Sequence, residues 1–355
     1  MSPPASQADI DHILAHTLGL WDEVRGARIF VTGGTGFVGT WIMEALVAAN
    51  AAYDLRVQTI LLTRDPSRFR ARAPHLAGAP GVSFATGDTA DFTQPDGPFS
   101  HVIHAATERN YVPDTAHPLG ILADDALATR RVLDLCVAAG TRKLLFTSSG
   151  AVYGPQPPQC TQVAESDPFA PDTTDTQSAY GQSKRLSEFS CIMHGSAFGF
   201  SVTIARLFAF VGPHLPLTEG YAVGNFLCDA VAGKPIRITG DGTPLRSYLY
   251  AADLAVWLWH VLLRGASGRA YNVGSPHALS IAELARAVVT STNRDVPIQV
   301  AETPLPSTTP LRYVPSTERA ERELSVRAVI DLPEALRRTY EWYRLTDHSG
   351  MAAVS

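Results

Sequence analysis

The sequence predicts an α/β protein, a doubly wound parallel sheet followed by a smaller C-terminal lobe of mixed α/β structure. Three observations carry that prediction. Short apolar runs near 28–32, 57–63, 82–85, 101–105, 143–147 and 202–207 alternate with longer helical runs, the pattern of a parallel sheet with helices on both faces. A glycine-rich segment, Gly33-Gly-Thr-Gly-Phe-Val-Gly39, stands between the first strand and the first long helix. From about Gly212 proline and glycine become frequent and short elements intermix. These features divide the chain into a helical extension (1–26), a sheet domain (27–211), a lobe whose segments cross back to the sheet (212–346) and a frayed tail (347–355).

Taken in order, Asp9 to Val24 reads as an amphipathic helix that either covers the fold or joins an interface. Arg28 to Thr32 is the first strand, and Thr40 to Ala49 reads as the helix after it. Gly33, Gly36 and Gly39 between them allow a tight turn and close backbone approach to a pyrophosphate. With Thr35, Phe37 and Val38 they form a candidate dinucleotide loop, at a helix N-terminus that offers unpaired N–H groups. The second strand ends Ile60-Leu-Leu-Thr-Arg64. An acid there would bind the ribose hydroxyls of NAD, whereas arginine suits the extra phosphate of NADP. Thr63 and Arg64 occupy the place, and Asp65, late and before proline, reads equally as a turn residue. Arg64 and Arg68 could clamp a phosphate, so NADP is favoured over NAD.

The run His101-Val-Ile-His-Ala-Ala106 is a further strand, whose end, at Ala105 and Ala106, would pass the cofactor. His101 and His104 on it read as packed, hydrogen-bonded residues rather than catalytic ones. Lys143 to Ser149 is a buried strand ending in hydroxyls. Ligands of such sheets bind beyond the carboxyl ends of strands, so Ser149 is placed to bond a substrate hydroxyl or carbonyl, and Ser148 to cap the strand.

Tyr180 and Lys184 carry the chemistry. Four residues apart on a helix, they share a face. There an ammonium would lower the phenol's pKa and make it a general base near neutral pH. The chain has only three lysines, Lys143, Lys184 and Lys234, and arginine does not readily replace a compact ammonium that bonds ribose and phenol together.

The set Gly33-x-x-Gly36-x-x-Gly39, Thr147-Ser-Ser-Gly-Ala-Val-Tyr-Gly154 and Tyr180-x-x-x-Lys184 resembles the extended short-chain dehydrogenase/reductases, within them the nucleotide-sugar epimerase/dehydratase group. The resemblance runs from about Arg28 to Tyr343 and implies a Rossmann-type sheet. It also implies Tyr180 as base, Ser149 as its partner, Lys184 as the nicotinamide-ribose anchor and Asp88 as a bond to adenine. The segment Gly240-Asp-Gly-Thr-Pro-Leu-Arg246 is similar to the group's substrate signature, which implies that Arg246, in a turn, contacts the nucleotide diphosphate. Asn225 and Arg312 fall at positions that line the nucleotide pocket in the family. Family 4,6-dehydratases carry an acidic pair just before Val-Tyr-Gly, where this chain has Gly150 and Ala151. The resemblance therefore implies an NAD(P)-dependent nucleotide-sugar epimerase acting through a 4-keto intermediate. The runner-up is an NADPH-dependent ketoreductase of a 4-keto-6-deoxysugar nucleotide, and a non-catalytic cofactor-binding regulator follows. Whether Glu108, Arg109 or Glu165 touches the sugar stays open.

Composition narrows the partners. A formal net charge of −5 gives no basic footprint for nucleic acid. No apolar run reaches the roughly 20 residues of a membrane span. The N-terminus lacks a basic segment followed by an apolar core, which argues against a secretory signal. Four scattered cysteines without Cys-x-x-Cys spacing, and no histidine cluster, predict reduced core thiols in a cytoplasmic protein without a metal site. The helical runs 121–139 and 180–197 are apolar enough for the family's two-fold helical interface, which implies a homodimer.

Overall fold

A computed structural model describes residues 2–107, 118–218, 220–304 and 309–346. Its centre is a seven-stranded, all-parallel sheet. Six strands stand where the apolar runs predict them: β1 (Arg28–Thr32), β2 (Gln58–Thr63), β3 (Val82–Thr86), β4 (His101–His104), β5 (Lys143–Ser149) and β6 (Ser201–Leu207). The seventh, Arg269–Val273, pairs with β6 at the sheet edge. Its buried Asn272 masks it in the sequence. That amide bonds the Val163 and Ser316 carbonyls and accepts from the Tyr153 hydroxyl, so a polar side chain serves a core position.

The strand order runs from Arg269–Val273 through β6, β5, β4 and β1 to β2 and β3. The chain leaves β1 toward β3, then returns to lay β4 on the other side of β1. That reversal opens a crevice at the carboxyl ends of β1 and β4, where such sheets bind ligands. Helix α1 (Gln7–His16), helix α2 (Phe37–Tyr53), the short helices α3 (Pro66–Arg72) and α4 (Pro74–Ala77), and the long helices α5 (Pro118–Ala138) and α6 (Ala179–Phe198) occupy the first two-thirds of the chain. α5 and α6 pack side by side.

The N-terminal segment is not one helix. α1 stops at His16, Gly19 turns the chain with φ +83°, and a 3-10 turn follows at Trp21–Val24. The segment covers the fold. Asp9 is buried and accepts from the Tyr250 hydroxyl and from Arg338. His12 meets Asp253 at 2.7 Å, and Trp21 packs on Trp259. Tyr340 and Trp342 are buried as well, the indole donating to the Pro3 and Pro4 carbonyls. Beyond Val211 the chain adds short paired strands and helices, among them Leu245–Arg246, which lies between Leu279–Ser280 and Arg312–Tyr313.

Among the described residues no helix is long and apolar enough to cross a membrane, and no cluster of metal-ligating side chains is present. All four cysteines are free. Cys136 and Cys191 are core thiols as expected, but Cys160 and Cys228 are only partly buried. Cys160 lies in a turn, bonding the Gln162 carbonyl.

Candidate active site

A cleft of about 900 Å³ runs along the carboxyl ends of the strands, near the top of the usual range for small-molecule sites. The glycine loop forms one end. Gly33 has φ +68°, and a Cβ on it would collide with the Ala105–Ala106 backbone. A Cβ on Gly39 would strike the Gly33 carbonyl and Gly34. These two glycines therefore allow the loop, the end of β4 and the first turn of α2 to approach backbone to backbone. No side chain caps α2 at Gly36, so its first amides face the cleft, a fit for a pyrophosphate. Gly33, Thr35, Gly36, Phe37, Val38, Gly39, Ala105 and Ala106 all line the cleft.

Beyond the end of β2, Asp65 lines the cleft together with the arginines that follow and precede it. Asp65 caps α3, accepting from the Arg68 amide at 3.0 Å. Arg64 and Arg68 line the cleft, and Arg64 stands 3.7 Å from Asp88. Asp88 lines the cleft too and also holds its own turn through the Ala90 amide. Arg72, not foreseen, bonds the Thr35 carbonyl and the Thr40 hydroxyl. It thereby ties α3 to the glycine loop.

At the other end β5 and α6 bring Ser149, Tyr180 and Lys184 together. Ser149 is 8 % exposed and accepts from the Ala151 amide at 3.1 Å, which holds the strand end in a 3-10 turn. It also hydrogen-bonds Tyr180. Ser148 turns away and donates to Glu188 at 2.6 Å. It belongs to a buried network in which Arg206 grips Glu188 with two bonds, so its role is to anchor α6 rather than to cap the strand.

Lys184 is 2 % exposed. Its ammonium donates to Thr107 at 3.1 Å and pairs with Asp125 at 3.5 Å, while the Tyr180 ring centre lies 5.7 Å away. Burial depresses the Lys184 pKa and Asp125 opposes the drop. The expected lowering of the Tyr180 phenol is not found. Burial raises its pKa, Tyr313 and Asp125 push it further, and the Ser149 bond only partly offsets them. The physical reason is first the burial of the phenol, which disfavours its charged form, with Tyr313 and then Asp125 adding to it. Asp125, from α5, also takes a short hydrogen bond from Ser183. Sequence reasoning missed it; the one signal was the acidic pair Asp124-Asp125 inside an otherwise amphipathic helix.

His101 and His104 are packed, as expected. His104 bonds Thr32 at 2.8 Å, and burial, reinforced by the Lys184 charge, drops its pKa to about 3.

Arg246 lines the cleft, from a two-residue strand rather than a turn, with its guanidinium 5.9 Å from the centre of the Tyr313 ring. Asn225 is exposed on the helix Ala222–Ala232 and Arg312 is half-buried on its short strand; neither lines the cleft. Tyr221, Tyr248, Phe208 and Tyr313 line it instead. Glu165 bonds the Asn272 amide and faces Arg319, as part of the sheet edge. Glu108 and Arg109 lie outside the described residues.

Comparison with known proteins agrees with this geometry. A model of the NAD dependent epimerase/dehydratase family matches residues 29–274. UDP-glucuronic acid decarboxylase 6 of Arabidopsis thaliana is 26% identical over 321 residues, 90% of this chain and 89% of that protein. The UDP-glucose 4-epimerase of Thermotoga maritima superposes with a TM-score of 0.74 at 20% identity, covering 89% of this chain and 98% of that one. The dTDP-glucose 4,6-dehydratase of Streptomyces venezuelae, solved with NAD bound, does so with a TM-score of 0.74 at 25% identity, covering 89% and 97%. The match over the sheet, the glycine loop and the Ser149–Tyr180–Lys184 cluster makes the chain a member of the NAD dependent epimerase/dehydratase family.

Proposed function

We propose that the protein is a nucleotide-sugar epimerase that works through a 4-keto intermediate. Tyr180 takes the proton of the sugar hydroxyl while Ser149 bonds the oxygen that becomes the ketone. Lys184 would hold the nicotinamide ribose while its ammonium stays beside the phenol. The bound nicotinamide supplies the hydride acceptor, and in its oxidised form a positive charge that favours the phenolate. Tyr180 would give its proton back to the same oxygen as the ketone is reduced on its opposite face, which completes epimerisation.

The observation that carries this reading is at position 150. A Cβ there would lie 2.7 Å from the Tyr313 hydroxyl and 2.8 Å from the Phe208 ring. The strand end is thus packed shut where a dehydratase needs its acid, and Ala151 supplies none. Hydride and proton exchange at one carbon needs neither. The similarity to UDP-glucuronic acid decarboxylases supports a second reading, in which a 4-keto uronate loses carbon dioxide. Reduction of a 4-keto-6-deoxysugar nucleotide is a third, using half of the same chemistry.

The finer assignments belong to the same proposal. Arg64 and Arg68 line the cleft, and Asp65, which lines it too, gives one carboxylate oxygen to its cap, which supports NADP over NAD; tighter binding of NAD in a titration would overturn that preference. The elements after residue 211 form the nucleotide-sugar lobe, with Arg246 toward the diphosphate. The protein is a cytoplasmic homodimer.

The deciding experiment incubates the purified protein with NDP-hexoses, UDP-glucuronate and NDP-4-keto-6-deoxysugars. An epimer with no net change in NAD(P)H absorbance is the expected result. Release of carbon dioxide, or stoichiometric loss of NAD(P)H with a keto sugar, would replace the epimerase by the second or third reading.

A further inference from the structure

Tyr313 has no part in the chemistry described so far. It stands in the strand Arg312–Tyr313, beside Leu245–Arg246, yet its phenol reaches the carboxyl ends of two sheet strands. Its hydroxyl is 3.5 Å from the Ser149 hydroxyl and donates to the Leu207 carbonyl at 3.3 Å. The ring packs on Phe208, 4.7 Å between centres, and lies under the Arg246 guanidinium. The space into which a side chain at position 150 would grow holds the Tyr313 hydroxyl and the Phe208 ring. A segment remote in the chain thus supplies a hydroxyl where Gly150 offers no functional group of its own.

Ser149 therefore sits between two phenols, Tyr180 from α6 and Tyr313. Hydrogen-bond capacity restricts the arrangement. The Ser149 oxygen already accepts the Ala151 amide. The Ser149 bond stabilises the charged Tyr180 phenol, so the serine proton is turned toward that phenol, and the lone pair left on Ser149 faces the Tyr313 hydroxyl, whose proton it shares with the Leu207 carbonyl; the serine proton thus has a defined direction before any sugar arrives.

We propose that Tyr313 is a positioning residue of the reaction, acting through Ser149: it holds the serine hydroxyl in the rotamer that serves the sugar oxygen, and so makes catalysis depend on the seating of the C-terminal segments against the sheet. This rests on the hydride-transfer reading of Ser149 and Tyr180. Removing the phenolic oxygen leaves the ring packed on Phe208 and releases the serine.

The test compares full-length Tyr313→Phe, Ser149→Ala and the double variant. Tyr313→Phe lowers kcat about five- to tenfold, the worth of one hydrogen bond, with KM little changed. In the Ser149→Ala background it adds nothing, because its effect passes through the missing hydroxyl. Independent, multiplying losses would overturn the proposal, as would an unchanged kcat. A second measurement needs no substrate. In tyrosine-selective NMR spectra the ring resonances of Tyr180, assigned by their loss in Tyr180→Phe, shift in Tyr313→Phe and stay in place in Tyr248→Phe. If no nucleotide sugar is turned over, the functional reading fails while the spectra still decide the coupling; an unshifted Tyr180 sinks it.

Discussion

Asp125 and His104 show how single buried groups set the conditions of this site. Asp125 holds the ammonium of Lys184 in a position with almost no solvent. Asp125→Asn keeps the shape and removes the charge. The phenol of Tyr180, which Asp125 pushes up, then titrates lower, and the acid limb of the kcat–pH profile moves to lower pH. Breaking a buried ion pair costs about 3 kcal/mol, measurable by urea unfolding; an unmoved profile would show that Asp125 serves the fold alone. His104 gives a separate pH prediction. Burial places its folded-state pKa near 3, below the value of about 6.5 in the unfolded chain. Its contribution is therefore fully present above pH 6.5 and is lost as pH falls from there toward 3, because only the unfolded chain takes the proton. The loss amounts to at most about 4–5 kcal/mol. His104→Asn flattens the fall of unfolding free energy between pH 7 and 4, leaving the contributions of His101, whose pKa burial drops to about 4, and of His214 and His260, which burial also lowers. Tyr180 and Lys184 were legible in the sequence because their spacing is local, and Ser149 because it ends an apolar strand. Asp125 and Tyr313 were not, since each reaches the site across more than 50 residues of chain and no periodicity reports such a contact.

At the scale of elements, the strands and the glycine loop were legible because burial of both sheet faces writes apolar runs, and close backbone approach writes glycine. Gly39 tests the second half of that statement. Its φ lies outside the left-handed region, so Gly39→Ala strains nothing locally. The added methyl instead meets the Gly33 carbonyl and must open the loop from α2. Overpacking of this kind costs about 1–3 kcal/mol, read here as a roughly 10–100-fold weaker dissociation constant for NAD(P) in a fluorescence titration with circular dichroism unchanged. Wild-type affinity in the variant would mean that the loop does not cradle the pyrophosphate. The N-terminal segment was legible as amphipathic but not as broken. Ile13, Trp21 and Val24 all read as one helical face. Only the tertiary fit, Trp21 on Trp259 and His12 on Asp253, accounts for the turn at Gly19. The short strand carrying Arg246 was hidden in the same way, because two residues form no pattern.

For the whole molecule the open question is what covers α5 and α6. On α6, Leu186, Phe189 and Met193 follow helical spacing and are 42 %, 63 % and 54 % exposed, and Leu127 on the neighbouring α5 is 51 % exposed. Such a stripe fits a second copy of the chain, because two adjacent helices brought together by a two-fold axis close into a four-helix bundle and leave no further apolar face. Sedimentation should then give about twice the 38.1 kDa of one chain. Phe189→Glu with Met193→Glu places four like charges across the axis and yields a monomer; a wild-type monomer at micromolar concentration would reject the arrangement. The sequence showed apolar helices but not which face they leave open, since the inward face of α6 is built of small and polar residues, Ser183, Lys184, Ser187 and Glu188 among them, and its larger apolar side chains point outward. The consequence reaches the chemistry. α6 carries Tyr180 and Lys184 in its first turns, and the sheet secures it from one side through Ser148, Glu188 and Arg206. A partner helix would secure it from the other. The monomeric variant keeps the cleft and so binds NAD(P), but loses turnover as the catalytic helix loosens, and a monomer with undiminished kcat would mean that the sheet alone holds α6 in place.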